Sequence, residues 1–187
     1  MSIKQFAWAH LGLFGTSLFL ATPVLGQTVH KVPEHFPSVQ AAIDAALTGD
    51  TIDVGPGRYI GSLSFRGKDL IVRSRGGAGA TTLDSLRMGS VVVFDQGEGP
   101  GAVLEGFTVR GGSASFGGGI HIDGAAPTIR SCVLRSNHGF EGGGLYAIDS
   151  TATIEGCFFY DNWAFHTGGL GGLGAAIYCE RSPLVLN

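Results

Sequence analysis

The chain has 187 residues, enough for one domain with a real core. Only 14% of them are charged and the net charge is −3, so no basic surface offers itself to a phosphate backbone and nucleic acid is not expected as a partner. Hydrophobic residues make up 44% and glycine (32) far outnumbers proline (7), which argues against a Pro-rich or disordered chain.

The N-terminus reads MSIKQ and then FAWAHLGLFGTSLFLA, a nearly uncharged run behind Lys4. TPVLGQ follows, with Val24 and Gly26 at the spacing a signal peptidase reads. Residues 1–26 are therefore expected to be a signal peptide, cut after Gly26, and residues 27–187 the mature domain. The apolar run is short for a bilayer span, and no other segment is expected to cross after its removal. The expected location is secreted or cell-surface.

TVHKVPEHFP reads as one strand and a turn. SVQAAIDAALTGD then carries the helical signal: Ser38 can cap it, Val39, Ala42, Ile43, Ala46 and Leu47 form one apolar stripe, and Gly49 ends it. TIDV, SLSF, LIVRS, TTLD and VVVF read as short strands, separated by GPG, RGKD, RGGAGA and DQGEGPG.

From Val103 the chain repeats itself. VLEGFTVRGG, TIRSCVLRSN and TIEGCFFYDN align, so Leu104, Ile129 and Ile154 recur every 25 residues, as do Phe107, Cys132 and Cys157. A fourth segment, LVLN, places Val185 as the partner of Ile154, with six extra residues in FHTGGLGGLGAA. A period near 25 is too short for paired helices and lacks their 3.6-residue pattern, and the leucine and asparagine framework of a leucine-rich repeat is missing. What remains is a coil of short strands stacked on the next coil at about 4.8 Å. Such a solenoid must cover its open end, and the helix is expected to be that cap. The glycine triplets Gly117–Gly119 and Gly142–Gly144 mark corners, and Asn137 and Asn162 are expected to stack as an asparagine ladder.

FPSVQAAIDAALTGDTIDVGPGRY resembles the opening of exported right-handed parallel β-helix proteins of the pectin-lyase-like class. The coils are similar to repeats of the chlamydial polymorphic outer-membrane proteins, which alternate FxxN with a GGA[ILV]-like motif. FYDN, Phe159 to Asn162, matches the first, LRSN keeps its Asn, and GGGI, GGGL and GAAI approach the second. The resemblance implies an all-β, right-handed parallel β-helix with an N-terminal capping helix. For function it is broad: the class holds polysaccharide lyases, glycoside hydrolases, adhesins and passengers.

A lyase of this class would carry acidic calcium ligands and an Arg or Lys base on one outer sheet face, so outward columns decide. After the glycine corners, Ile120, Leu145 and Ile177 point in, then His121, Tyr146 and Tyr178 point out, one above another. Ile122, Ala147 and Cys179 point in, followed outside by Asp123, Ile148 and Glu180 with Asp149 beside them. Aromatic rings stack on sugars and carboxylates bond hydroxyls, so His121, Asp123, Tyr146, Asp149, Tyr178 and Glu180 are the candidate ligand-binding residues; a solvated strand face is the plainer alternative. No three acids sit together and no outward Arg pairs with the column, which makes a poor lyase site. Catalytic residues are not identified.

Glu105, Arg130 and Glu155 read as a charge ladder, and Arg110 and Arg135 as a stacked like-charge pair relieved at Tyr160. GGLGGLG lacks the Asp of a calcium repeat, His166 has no partner at ligand spacing, and His138 sits alone in a turn, so no metal is expected; Ca2+ would be needed only by a lyase. Cys132, Cys157 and Cys179, in strand-like runs, are an odd number and are expected to be free thiols. PLVLN ends the sequence early in a strand, so a domain incomplete at its C-terminus is expected. The expected role is an exported adhesion or glycan-binding scaffold without catalysis, its partner a polysaccharide or cell-surface glycan. The alternatives are a polysaccharide lyase or glycoside hydrolase acting on acidic polysaccharide, and a structural passenger with no ligand.

Overall fold

The computed structural model describes residues 27–165 and 172–187. The proposed signal peptide (1–26), His166 and part of the GGLGGLG loop lie outside these residues. Three parallel sheets wind into a β-solenoid of about five turns. Each turn contributes one strand to each sheet.

The first sheet is β1 (Val29–Val32), β2 (Thr51–Val54), β5 (Ile71–Ser74), β8 (Val103–Glu105), β11 (Thr128–Arg130), β15 (Thr153–Glu155) and β19 (Val185–Leu186). The second is β3 (Gly57–Ile60), β6 (Thr81–Asp84), β9 (Thr108–Arg110), β12 (Val133–Arg135) and β16 (Phe158–Tyr160). The third is β4 (Leu63–Ser64), β7 (Val92–Phe94), β10 (Ile120–Asp123), β14 (Leu145–Ile148) and β18 (Ile177–Glu180). A short pair, β13 (His138–Gly139) and β17 (Trp163–Ala164), bridges the second and third sheets in the last two full turns.

All the strands named from the sequence are present. β3 is an addition: GRYI was not read as a strand, yet it pairs with TTLD from Gly57↔Thr81 to Ile60↔Asp84. His138 is a correction, because it lies in β13 and not in an isolated turn. The last repeat is also corrected. Thr153 pairs with Val185 and Ile154 with Leu186, so seven residues are inserted and Leu186, not Val185, is the partner of Ile154. The same offset relates Leu145 to Ile177.

Inward residues stack on their equivalents. Val72, Leu104, Ile129 and Ile154 run along the first sheet, and Leu83, Val109, Leu134 and Phe159 along the second. Most of these are fully buried, and Phe65, Phe94 and Phe107 fill the wider parts of the core. Helix α1 (Val39–Ala45) packs on β1, β2 and β4 at the N-terminal end of that core. Ser38 caps it, its Oγ accepting from Ala41 N at 3.1 Å. Val39, Ala42, Ile43 and Ala46 are buried as expected, but Leu47 is exposed. The helix ends at Ala45 and Ala46 is already extended, so Leu47 leaves the stripe before Gly49.

The asparagine ladder is present. Asn137 Nδ2 donates to Asn162 Oδ1 (3.1 Å) and to Val109 O (3.0 Å), and Asn162 Nδ2 donates to Leu134 O (2.8 Å). The three cysteines are free. Cys132 and Cys157 sit in the bends just before β12 and β16, not within strands. Cys132 is buried, and Cys179, although its register is the inward one, is exposed on β18.

Candidate functional site

The glycine corners build the third sheet's outer face. Gly117 and Gly142 have φ near +61° and +62°. A Cβ on Gly142 would lie 2.3 Å from Leu145 O, so only glycine lets the chain fold back into β14 at this point. The tight corner delivers the strands in register: His121 pairs with Tyr146, and Tyr146 with Tyr178.

The three rings form a continuous stack. His121 and Tyr146 have centroids 5.6 Å apart and planes 5° from parallel. Tyr146 and Tyr178 are 5.4 Å apart and 9° from parallel. These spacings exceed the inter-strand repeat of about 4.8 Å, as offset stacking requires. A fourth ring, Phe116, lies 5.0 Å from Tyr146 at 41°. With a ring on either side and Phe116 beside it, Tyr146 is only 5% exposed. The column therefore offers edges rather than open faces. No hydrogen bond reaches the Tyr146 hydroxyl among the described residues, and that oxygen is not sealed from solvent.

The carboxylates divide into two groups. Arg181 holds Asp149 in a two-pronged pair, Nε to Oδ1 at 2.6 Å and Nη2 to Oδ2 at 2.8 Å, and its Nη1 bonds Glu180. The hydrogen bond from Arg181 keeps the Asp149 carboxyl below its usual range, and the same bond raises the Arg181 guanidinium further above its own. Asp123 makes no ion pair among the described residues and is exposed. Glu141 adds a carboxylate to the same neighbourhood: loss of solvent first raises the hydroxyls of Tyr146 and Tyr178, and the Glu141 charge raises both further.

Sequence reasoning missed Phe116, Glu141 and Arg181. Phe116 and Glu141 each precede the first glycine of a corner and pair with one another in register, as Glu141 does with Leu173. That shared offset was the available signal. Arg181 corrects the reading that no outward arginine accompanies the column.

His121 is held below the usual histidine range, chiefly by burial, against the opposing pull of Asp123 and Asp95. Its Nδ1 is buried without a hydrogen-bond partner among the described residues. The face thus presents a neutral imidazole, phenol edges and several carboxylates. It suits hydrogen bonding to hydroxyl-rich or cationic groups. Arg181 is not a proton-abstracting base here, because two carboxylates lock it in its charged form and a base must first be neutral. Among the described residues no three His, Cys, Asp or Glu side chains converge as a metal site, and no helix is long and apolar enough to cross a membrane.

In comparison with known proteins, no family model matches the chain, no curated protein matches it, and no solved structure matches it.

Proposed function

We propose that this chain is an exported, surface or secreted β-helix scaffold that binds a glycan through the His121–Tyr146–Tyr178 column without catalysis. We further place it in the pectin-lyase-like class, with coils akin to those of the chlamydial polymorphic outer-membrane proteins. The observation that carries the functional reading is the column: three rings in register, with a Tyr146 hydroxyl and an Asp123 carboxylate that have no partner among the described residues. The second motif resemblance gains support from the Asn137–Asn162 ladder, which gives the Asn of FxxN a structural task.

The carboxylates around the column favour a neutral or amino sugar on this face over an acidic one, since an anionic ligand would meet Asp123, Glu141 and Glu180 at close range. The test is binding of the full chain to a glycan panel, repeated with Tyr146→Phe and Tyr178→Phe. Both substitutions keep the rings and remove only the hydroxyls. Binding that weakens about tenfold with an unchanged melting profile supports the reading, a tenfold change being what one buried hydrogen bond supplies. Undiminished binding by the double variant removes the column from the account. Calcium-dependent release of unsaturated sugars from an acidic polysaccharide would overturn the proposal in favour of a lyase.

A further inference from the structure

The outer face of the second sheet carries a polar feature that the aromatic column does not use. Asp84 lies at the end of β6, and its side chain is only 2% exposed. Its Oδ1 accepts from Leu86 N at 2.9 Å. Its Oδ2 accepts from Arg58 Nε (3.2 Å) and Nη2 (2.8 Å), and Arg110 Nε lies 3.2 Å from the same oxygen. Arg110 stacks on Asp84 by register, one coil along. Arg135 stacks on Arg110 one coil further.

Arg87 closes the opposite side. Leu86 and Arg87 are consecutive non-glycine residues with φ of +52° and +65°, a conformation that costs on the order of 1 kcal/mol or more each. Gly111 permits the approach: a Cβ there would lie 2.3 Å from Asp84 Oδ1. Together Arg58, Asp84, Leu86, Arg87, Arg110 and Gly111 line an open cavity of about 230 Å³. Arg87 also lines the neighbouring cavity beside His138, Phe140 and Phe165.

Isolated surface arginines are normally just solvated. Three features separate this group from that case. First, two guanidiniums, Arg58 and Arg110, share one carboxylate, Arg87 lines the same cavity, and Arg135 adds a fourth charge one coil along, so the cavity is cationic in a chain whose net charge is −3. Second, the carboxylate is buried and holds Arg58 by Nε and Nη2, while Arg110 only approaches it, Nε at 3.2 Å, and no nitrogen of the Arg110 guanidinium makes a hydrogen bond among the described residues. Third, Arg87 and Arg135 form no ion pair among the described residues. The cavity therefore has donors converging from three separate elements and too little negative charge to satisfy them.

We propose that this cavity binds a tetrahedral oxyanion, the sulfate ester or phosphate monoester of a larger ligand. A planar carboxylate matches a single guanidinium fork. A tetrahedral group presents oxygens toward Arg58, Arg87 and Arg110 at once. Asp84 is a positioning residue: it orients the two guanidiniums and keeps the charge of the empty cavity down. The site is on a different sheet from the aromatic column and stands or falls independently of it.

The test is calorimetric titration of the full chain at low ionic strength with inorganic sulfate and, separately, inorganic phosphate. Arg87→Gln and Arg110→Gln are each expected to weaken binding about tenfold or more, because each removes charge-assisted hydrogen bonds. Arg87 is not tied to Asp84, so its variant is the safer for folding, and thermal unfolding checks both. Tyr146→Phe leaves this binding unchanged. Phosphate binding that fades as acid converts the phosphate dianion to the monoanion, while sulfate binding persists, separates the two probes. Either anion bound through Arg87 and Arg110 supports the site. No binding of either, or equal binding by the folded Arg87→Gln/Arg110→Gln variant, overturns it.

Discussion

Replacing Asn137 by Ala tests whether the asparagine ladder holds the turns together. Asn137 is fully buried. Its Nδ2 serves Val109 O (3.0 Å) and Asn162 Oδ1 (3.1 Å), and its Oδ1 accepts from Gly112 N (3.0 Å). Truncation leaves the Gly112 N–H and the Val109 carbonyl without these partners. At about 1–3 kcal/mol for each buried group left unsatisfied, the loss is on the order of 2–5 kcal/mol. A water entering the vacated space would bring the value toward the lower end. Asn162 is less buried, but its Oδ1 accepts from Asn137 N (3.2 Å) and Nδ2 (3.1 Å) and its Nδ2 donates to Leu134 O, so Asn162→Ala is expected to cost about 1–3 kcal/mol. Urea denaturation of both variants beside the parent gives the comparison, with the slopes checked because turns of a solenoid need not unfold together. Losses below about 1 kcal/mol for both Asn137→Ala and Asn162→Ala would refute the ladder as a structural device.

Acid sensitivity is expected at the N-terminal end. Asp50 is lowered to about 2, first by the Leu47 amide at 2.9 Å, then by His30 and the Thr28 amide. A lowered carboxyl contributes stability above its ordinary value of 3.8 and loses it as pH falls toward about 2. The amount is about 2 kcal/mol; Asp50→Asn should lower stability at neutral pH and flatten this part of the pH profile in chemical denaturation. His121 acts earlier in the same direction. Burial depresses it, so the unfolded chain binds its proton more readily and stability falls as pH drops through 6.5 and below. His138 is depressed as well, so His121→Gln should remove only part of the loss seen between neutral pH and about 5, and a variant with an undiminished loss would argue that His121 is not the responsible ring.

The solenoid was legible because its chemistry recurs. Positions such as Leu104, Ile129 and Ile154 announce one inward column, and the triplets at Gly117 and Gly142 announce the corners that aim His121 and Tyr146 outward. The early turns were harder. Thr51, Ile71, Val103, Thr128, Thr153 and Val185 are equivalent, so successive steps are 20, 32, 25, 25 and 32 residues. A search at a fixed period sees only the middle of that series. It missed β3, and it missed that Asp84 precedes Arg110 in the arginine column. Phe116 and Arg181 escaped for a different reason. Phe116 lies in a single-residue bridge before a glycine corner and Arg181 in a bend, where alternation says nothing about direction, and three-dimensional closure brings them to Tyr146 and Asp149.

The first sheet offers a test of how the coils keep their register. The alternation read at Glu105, Arg130 and Glu155 extends across the unequal turns as Lys31, Asp53, Arg73, Glu105, Arg130 and Glu155, each paired with the next. Arg73 meets Asp53 at 2.8 Å and Arg130 meets Glu105 at 2.8 Å. Each exposed pair contributes only a few tenths of a kcal/mol, too little to hold the sheet. Its value lies in what it penalises. A strand paired one coil out of place would set like charges side by side along the column. Arg130→Glu places three carboxylates in a row at Glu105, position 130 and Glu155, and is expected to cost about 1 kcal/mol at low salt, shrinking as salt screens it. Reversing the neighbour as well, Glu105→Arg with Arg130→Glu, restores attraction between those two but sets Arg73 against a new cation and leaves position 130 against Glu155. The double variant should therefore recover only part of the loss. Full recovery would show that the 105–130 pair acts alone, and that the longer alternation has no energetic role.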